Sequence, residues 1–331
     1  MLNYPKSEIG KINFLLGRNP HVVRYKKAVS HLFIPKPYKA VFILSADFEL
    51  AWAWRYSIQL VNPGKSALVL ARKARDNIPV LIDLCDEYDI PITWATVGHL
   101  FLDKCSRDKG LPHSDIERLP YHVNKYWRYK TGDWFDDDPC TDWQTSPEWY
   151  APDLIRVILD AKADHEIACH TFSHIDASDK VCSSDVFERE IRGCIELAEK
   201  YGIRLESFVH PGHIVGNLDK LRVLGFSSYR TDYNHALGYP VRHENGLWEF
   251  RTTAEFGYKK SWSFDYHVWR YKKIIDRAIK YGRLCYFFFH PSNWNLDFVK
   301  FVTAEIFAHL KSRSDEILIT TCAKYLRRVD Q

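Results

Sequence analysis

Residues 164–176 read DHEIACHTFSHID, a short apolar run from Ile167 to Cys169 that stops abruptly at His170 and His174. A run of that length is the end of a buried strand rather than of a helix. Two imidazoles four positions apart fall on one face of a helical turn, with Cβ atoms about 6 Å apart, a spacing that suits two ligands of one cation. Ser173 sits beside the second histidine, and Asp176 is close enough in sequence to orient an imidazole from behind. The chain must therefore bring a buried strand to an end where chemistry is exposed.

Two further strand-like runs end the same way. Residues 40–50 read AVFILSADFEL, where the continuous apolar stretch Val41 to Leu44 fits a strand buried on both faces of a parallel sheet. Asp47 and Glu49 follow at i and i+2, on one side of an extended chain, where two carboxylates repel unless a cation or a function holds them. Residues 284–294 read LCYFFFHPSNW, a strand with His290 at its exit and Pro291 stopping it. Taken singly, each of these is equally a solvated turn or a capped core histidine. In a barrel of parallel strands the three ends converge on one face, where active sites form.

Between these runs the pattern alternates. Helical spacing covers about 70–77, and Pro79 opens a second helix that ends near Tyr88. A strand at 91–97 follows. Pro152–Asp160 has one apolar face, and Val186–Tyr201 is an amphipathic helix stopped by Gly202. Strands at 205–209, 226–230 and 247–251, helices at about 269–281 and 301–313, and a last strand and helix complete the chain. Such alternation predicts a parallel α/β barrel, and 331 residues with 46% hydrophobic content suffice for one barrel-sized core.

The order SADFE, HTFSH, FVHPGH, FFFHP resembles the polysaccharide deacetylase family, carbohydrate esterase family 4. Residues 93–99, TWATVGH, are similar to that family's second strand and 317–321, ILITT, to its last. The resemblance covers about 40–326 and implies a distorted (β/α) barrel of about seven parallel strands. It also implies a metal-dependent hydrolase that removes an N-acyl group, typically acetyl, from an amino sugar or glycan precursor. His170, His174 and Glu49 then hold a divalent cation, expected to be Zn²⁺. Asp47 takes a proton from water, and protonated His290 gives one to the leaving amine.

Two elements depart from the family pattern. Where many members have adjacent aspartates, this chain has Asp47-Phe48-Glu49, so the roles of the two carboxylates could be exchanged. Where members commonly carry an Arg-x-Pro-x-Gly element whose Arg holds the base, Val209 stands in the Arg position. His210, His213 or Arg251 are the candidates to replace it, and with Trp294 they form the expected substrate-binding set. These departures keep open a deformylase or cyclic-amide hydrolase of the same superfamily, or a non-catalytic carbohydrate-binding protein on this scaffold.

Residues 1–39 carry eight Lys or Arg against Glu8 alone, a surplus of seven in a chain of net charge +4, so the remainder is net acidic. With Phe14, Leu15, Leu16, Leu32 and Phe33 interleaved, this basic extension suits either a solvated exterior segment or weak contact with a membrane surface. Nucleic acid is not an expected partner. The deacetylase-like barrel is expected at 40–331, interrupted at about 103–150 by an insertion rich in Trp, Tyr and Asp. Its aromatic residues suit sugar stacking or packing on the barrel, and Asp133, Asp136, Asp137 and Asp138 could meet hydroxyls. The eight cysteines form no CxxC pair and read as reduced thiols. With no signal-peptide pattern at the N-terminus, the expectation is a cytoplasmic protein acting on a nucleotide- or lipid-linked sugar.

Overall fold

Strand β1 (Ala40–Phe48) is buried at every one of its nine positions, as an all-apolar run in a parallel sheet requires. The computed structural model describes residues 30–57, 60–119, 122, 134–232 and 237–329. Most of the basic N-terminal segment, including Lys6 to Lys27, and Asp133 of the insertion lie outside that set. No helix among the described residues is long and apolar enough to cross a membrane.

Around β1 run β2 (Thr93–Thr96), β3 (Glu166–Cys169), β4 (Ser207–Val209), β5 (Ser228–Thr231), β6 (Trp248–Arg251), β7 (Ala254–Glu255), β8 (Leu284–Phe289) and β9 (Ile317–Thr320). All pair in parallel, in the order β7-β8-β1-β2-β3-β4-β5-β6. The ends of that path are joined by two residues. The Thr252 amide bonds Thr231 of β5 at 3.0 Å, and the Thr253 amide bonds Tyr286 of β8 at 2.7 Å. One extended segment, 248–255, thus changes partner midway and closes a distorted barrel whose ring is seven strands, as expected. β9 shares an edge of β1 with β2, pairing with Ala40–Ile43 below while β2 pairs with Ser45–Phe48 above.

The period of two along each strand sorts the core. Phe42 and Leu44 face the helices, whereas Val41, Ile43, Phe250, Leu284, Tyr286 and Leu318 form a separate cluster with the C-terminal helix Cys322–Val329. Ser45 and Asp47 continue the Val41–Ile43 side, and Phe288 and His290 continue the Tyr286 side. The apolar fill at the bottom of the barrel therefore gives way to charge at the carboxyl ends of the same strands.

One helix differs from expectation. Pro79 does not open a second helix but lies within a single helix, Pro63–Tyr88, capped by the Asn62 side chain and ended by Asp89 in left-handed geometry (φ 58°). Ala74, Ile78, Leu81, Ile82 and Cys85 are buried on both sides of the proline. A mid-helix proline costs about 3 kcal/mol, and the burial of several apolar side chains at about 1.5–3 kcal/mol each outweighs it.

Candidate active site

His170 and His174 do not lie on a helical turn. After β3 the chain runs through a loop in which Thr171 and His174 both adopt left-handed backbone angles (φ 59° each). Glu190, from the helix Ser184–Glu199, holds that loop: its carboxylate accepts the Phe172 and Ser173 amides (2.8 and 2.9 Å) and the Ser173 hydroxyl (2.7 Å). The result still brings the two rings together, 4.9 Å between centroids, through backbone turns instead of helical spacing.

Both imidazoles aim Nε2 at one oxygen. Glu49 Oε2 is 3.3 Å from His170 Nε2 and 3.2 Å from His174 Nε2. His170 Nδ1 lies 2.7 Å from the Val209 carbonyl, which only accepts, so its proton sits there and Nε2 carries the lone pair. His174 Nδ1 meets the Tyr56 hydroxyl at 2.6 Å, and that hydroxyl donates to the His174 carbonyl at 2.7 Å, which again leaves Nε2 unprotonated. Burial pushes His174 down to about 4 despite Glu49 beside it. Burial works to raise Glu49, but His290 first, and then the adjoining His170 and His174 rings, outweigh it and hold the carboxyl at about 2.

In this hydrogen-bond arrangement three acceptor atoms converge, and Glu49 Oε1 is buried without a hydrogen-bond partner among the described residues. Ligands about 2.0–2.1 Å from a tetrahedral zinc lie about 3.3 Å from one another, which matches the separations of Glu49 Oε2 from the two histidines. The donor set fits a divalent cation.

Asp47 is held differently. Arg230 of β5 grips it with both guanidinium nitrogens, Nη1 to Oδ1 at 2.6 Å and Nη2 to Oδ2 at 2.7 Å, and also reaches the Ser45 hydroxyl at 2.9 Å. The guanidinium lies 4.9 Å from the centre of the Phe288 ring. Burial acts to raise Asp47, and Arg230, followed by His290 and His170, overcomes it and keeps the carboxyl well below the usual carboxylate range. His290 completes the group, its Nε2 3.5 Å from Asp47 Oδ2 and 3.6 Å from Glu49 Oε1. Its ring stands 5.6 Å from half-buried Trp54.

Arg230 is absent from the candidates named to replace the missing arginine. Arg251 instead pairs with Glu249 at 2.7 Å, and fully buried His210 donates its Nε2–H to the Gly216 carbonyl (2.9 Å). The signal for Arg230 is its place in Ser228–Thr231: a charged residue on a fully buried barrel strand needs a buried acid. His213 is half-buried near this charge cluster, its ring 5.1 Å from Phe288, and burial with Arg230 pushes it down to about 4.

Trp294 is not a substrate surface. It is fully buried, stacked on Phe289 (4.1 Å, 12°), and its indole N–H bonds the Phe256 carbonyl at 2.8 Å. Asp176 bonds His122 at 3.2 Å and accepts the Ser178 amide at 2.9 Å. In the insertion Trp134, Phe135, Trp149 and Tyr150 pack inward, Asp136 and Asp137 are exposed, and Asp138 is buried, out of reach of a sugar hydroxyl. Arg55, buried under the site, donates to the Trp52, Trp134 and Ser173 carbonyls and so ties the segment after β1 to the histidine loop.

Neither a protein-family model nor a curated protein matches the chain. Solved structures do match. Puue allantoinase aligns over 99% of this chain and 97% of its own at 14% identity, with a TM-score of 0.59. A structure described as a polysaccharide deacetylase from Pseudomonas aeruginosa PAO1 aligns over 90% and 93% (13% identity, TM-score 0.58). One from Mycobacterium smegmatis does so over the same shares at 14% identity and a TM-score of 0.56. At these identities the likeness is one of architecture, and the chain has the polysaccharide deacetylase fold.

Proposed function

We propose that this protein is a metal-dependent hydrolase that removes an N-acyl group from an amino sugar. The observation that carries the reading is the convergence of Glu49, His170 and His174, with Glu49 at tetrahedral ligand spacing from both histidines, beside Arg230-held Asp47 and His290. A divalent cation held by those three residues, zinc by the chemistry of the donors, supplies Lewis acidity that polarises an amide carbonyl and lowers the pKa of water.

Asp47, fixed by two bonds from Arg230, accepts the proton of the attacking water. Its low proton affinity keeps it ionised across the working range and makes it dependent on that water being acidified. His290 faces the same point and donates to the departing nitrogen, a step amides need because an amine anion is a very poor leaving group. Half-buried Trp54, beside His290, offers an aromatic face for the sugar in place of Trp294. Arg230 also supports the catalytic reading, because it supplies from another strand the arginine whose absence was one of the two motives for a non-catalytic protein, the Asp47-Phe48-Glu49 order being the other.

Supporting evidence would come from incubating the purified protein with N-acetyl and N-formyl amino sugars, free and nucleotide-linked, while measuring acid release and bound metal on one sample. Acid release that disappears with chelation and returns with zinc is expected; no release from any of them would refute the reading. Puue allantoinase motivates a second possibility, opening of a cyclic amide, which consumes substrate without freeing acid.

A further inference from the structure

A second convergence of ligand-type side chains lies where the insertion meets the barrel, outside the site just described. His99 follows β2 in the 3-10 turn Gly98–Phe101 and is fully buried. Its Nε2 is 3.0 Å from Asp138 Oδ2, and His113 Nε2 approaches the same oxygen at 2.9 Å. Cys105 Sγ is 3.5 Å from it, and one ligand atom from each of the four residues lies within 4.8 Å of the others.

The backbone builds this arrangement from three directions. The Cys105 amide bonds the Thr141 carbonyl (3.0 Å) and the Trp143 amide bonds Asp103 (2.9 Å), which sets 103–105 against 141–143. A small hairpin, Arg107–Asp108 with Leu111–Pro112, returns the chain to His113, itself in left-handed geometry (φ 46°). Asp138 is fixed from behind: Oδ1 accepts the Cys140 amide (2.9 Å) and the Tyr150 hydroxyl (3.2 Å), and its carbonyl accepts from Arg107 (3.1 Å). These contacts leave Oδ2 for the two histidines.

His99 Nδ1 lies 3.1 Å from the Trp149 carbonyl, an acceptor, while Nε2 faces a carboxylate, another acceptor. A neutral imidazole has one N–H and cannot serve both. This is the pattern His170 shows between Val209 and Glu49. A tetrahedral ion with nitrogen and oxygen at about 2.0–2.1 Å and sulfur at about 2.3 Å needs ligand separations of about 3.3–3.6 Å. The three separations from Asp138 Oδ2, 2.9, 3.0 and 3.5 Å, lie within a few tenths of an ångström of that range, and the other ligand atoms lie within 4.8 Å of one another.

We infer that His99, Cys105, His113 and Asp138 form a second metal site, structural and closed by four protein ligands, that takes zinc and pins the 103–150 insertion to the barrel. The thiolate selects a softer ion than magnesium or calcium. The rival arrangement is a buried imidazolium at His99 hydrogen-bonded to Asp138, with no ion.

The test uses the full chain loaded with Co²⁺. A thiolate ligand gives a sulfur-to-cobalt charge-transfer band in the near ultraviolet, which Glu49, His170 and His174 cannot produce. The band is expected in the unaltered protein, unchanged in His170→Ala/His174→Ala, and lost in Cys105→Ser. Zinc analysis is expected to give one ion per chain in His170→Ala/His174→Ala and none when His113→Asn is added. Absence of the band from the cobalt-loaded unaltered protein, which needs no variant to fold, overturns the assignment. So does a Cys105–Cys140 disulfide found by mass under non-reducing conditions. Because no arm reads activity, the outcome is separate from that of the hydrolase reading.

Discussion

Replacing Arg230 with Met tests the link between the buried charge pair and the role proposed for Asp47 as the base. Arg230 and Asp47 are both almost fully buried and joined by two short bonds, so removing one partner leaves a carboxylate in the barrel without compensation. Breaking such a pair costs about 3–5 kcal/mol. With an unfolding entropy of about 2.1 cal/mol/K per residue over roughly 300 residues, that corresponds to a fall in Tm of about 5–8 °C. Asp47→Asn alone strands the guanidinium and is expected to cost a similar amount. The double variant removes both charges, so its loss should fall short of the sum by about 1–3 kcal/mol.

The pH dependence has a definite sign. Asp47 is depressed in the folded state, so its stabilisation is present above the ordinary carboxylate range and is lost as pH falls through and below it. Without Arg230 the burial that raises Asp47 is unopposed by its main partner, and the acid limb of the rate profile should move to higher pH. Thermal unfolding at fixed zinc, together with a pH–rate profile, measures both effects. A Tm change under about 2 °C with additive single and double losses would refute the pairing argument.

Other outcomes follow from the same geometry. His290→Ala should lower kcat for an amide by about 10²–10⁴-fold but spare an ester with a phenolate leaving group; equal losses would mean that His290 only positions substrate. Glu49→Gln and His174→Ala should each strip the catalytic ion on dialysis, whereas Asp47→Asn should retain it, and the reverse would exchange the two carboxylate roles. His165, whose Nδ1 accepts the Ile92 amide at 2.9 Å, is held down to about 4 by burial. Its contribution to stability is therefore complete above about 6.5 and lost as pH falls toward 4, and His165→Gln should flatten denaturation midpoints across that window. An unchanged slope there would remove His165 from the acid response.

The local features were legible in the sequence because they are local. Period-two burial places Asp47 and Glu49 on one side of β1's end, and His170 and His174 leave β3 within one loop, so each pair announces itself over a few residues. The alternation of strands and helices likewise implied the barrel, because a parallel strand must be covered by helices on its outer face. Tertiary structure decided what depends on distant partners. Arg230 and Asp47 are 183 positions apart, and only the closed ring puts β5 across from β1. Trp294 follows the His290 strand as a substrate residue would, yet the helix Pro63–Tyr88 holds that loop, Asn77 bonding the Pro291 and Trp294 carbonyls at 2.9 and 3.0 Å, and the indole goes to the core. Asp138 likewise stood among acids open to sugar until the insertion folded back and surrounded it with His99, Cys105 and His113. A side chain's chemistry is written in the chain; which charge or ring it meets is fixed by closure of the barrel and the packing of its loops.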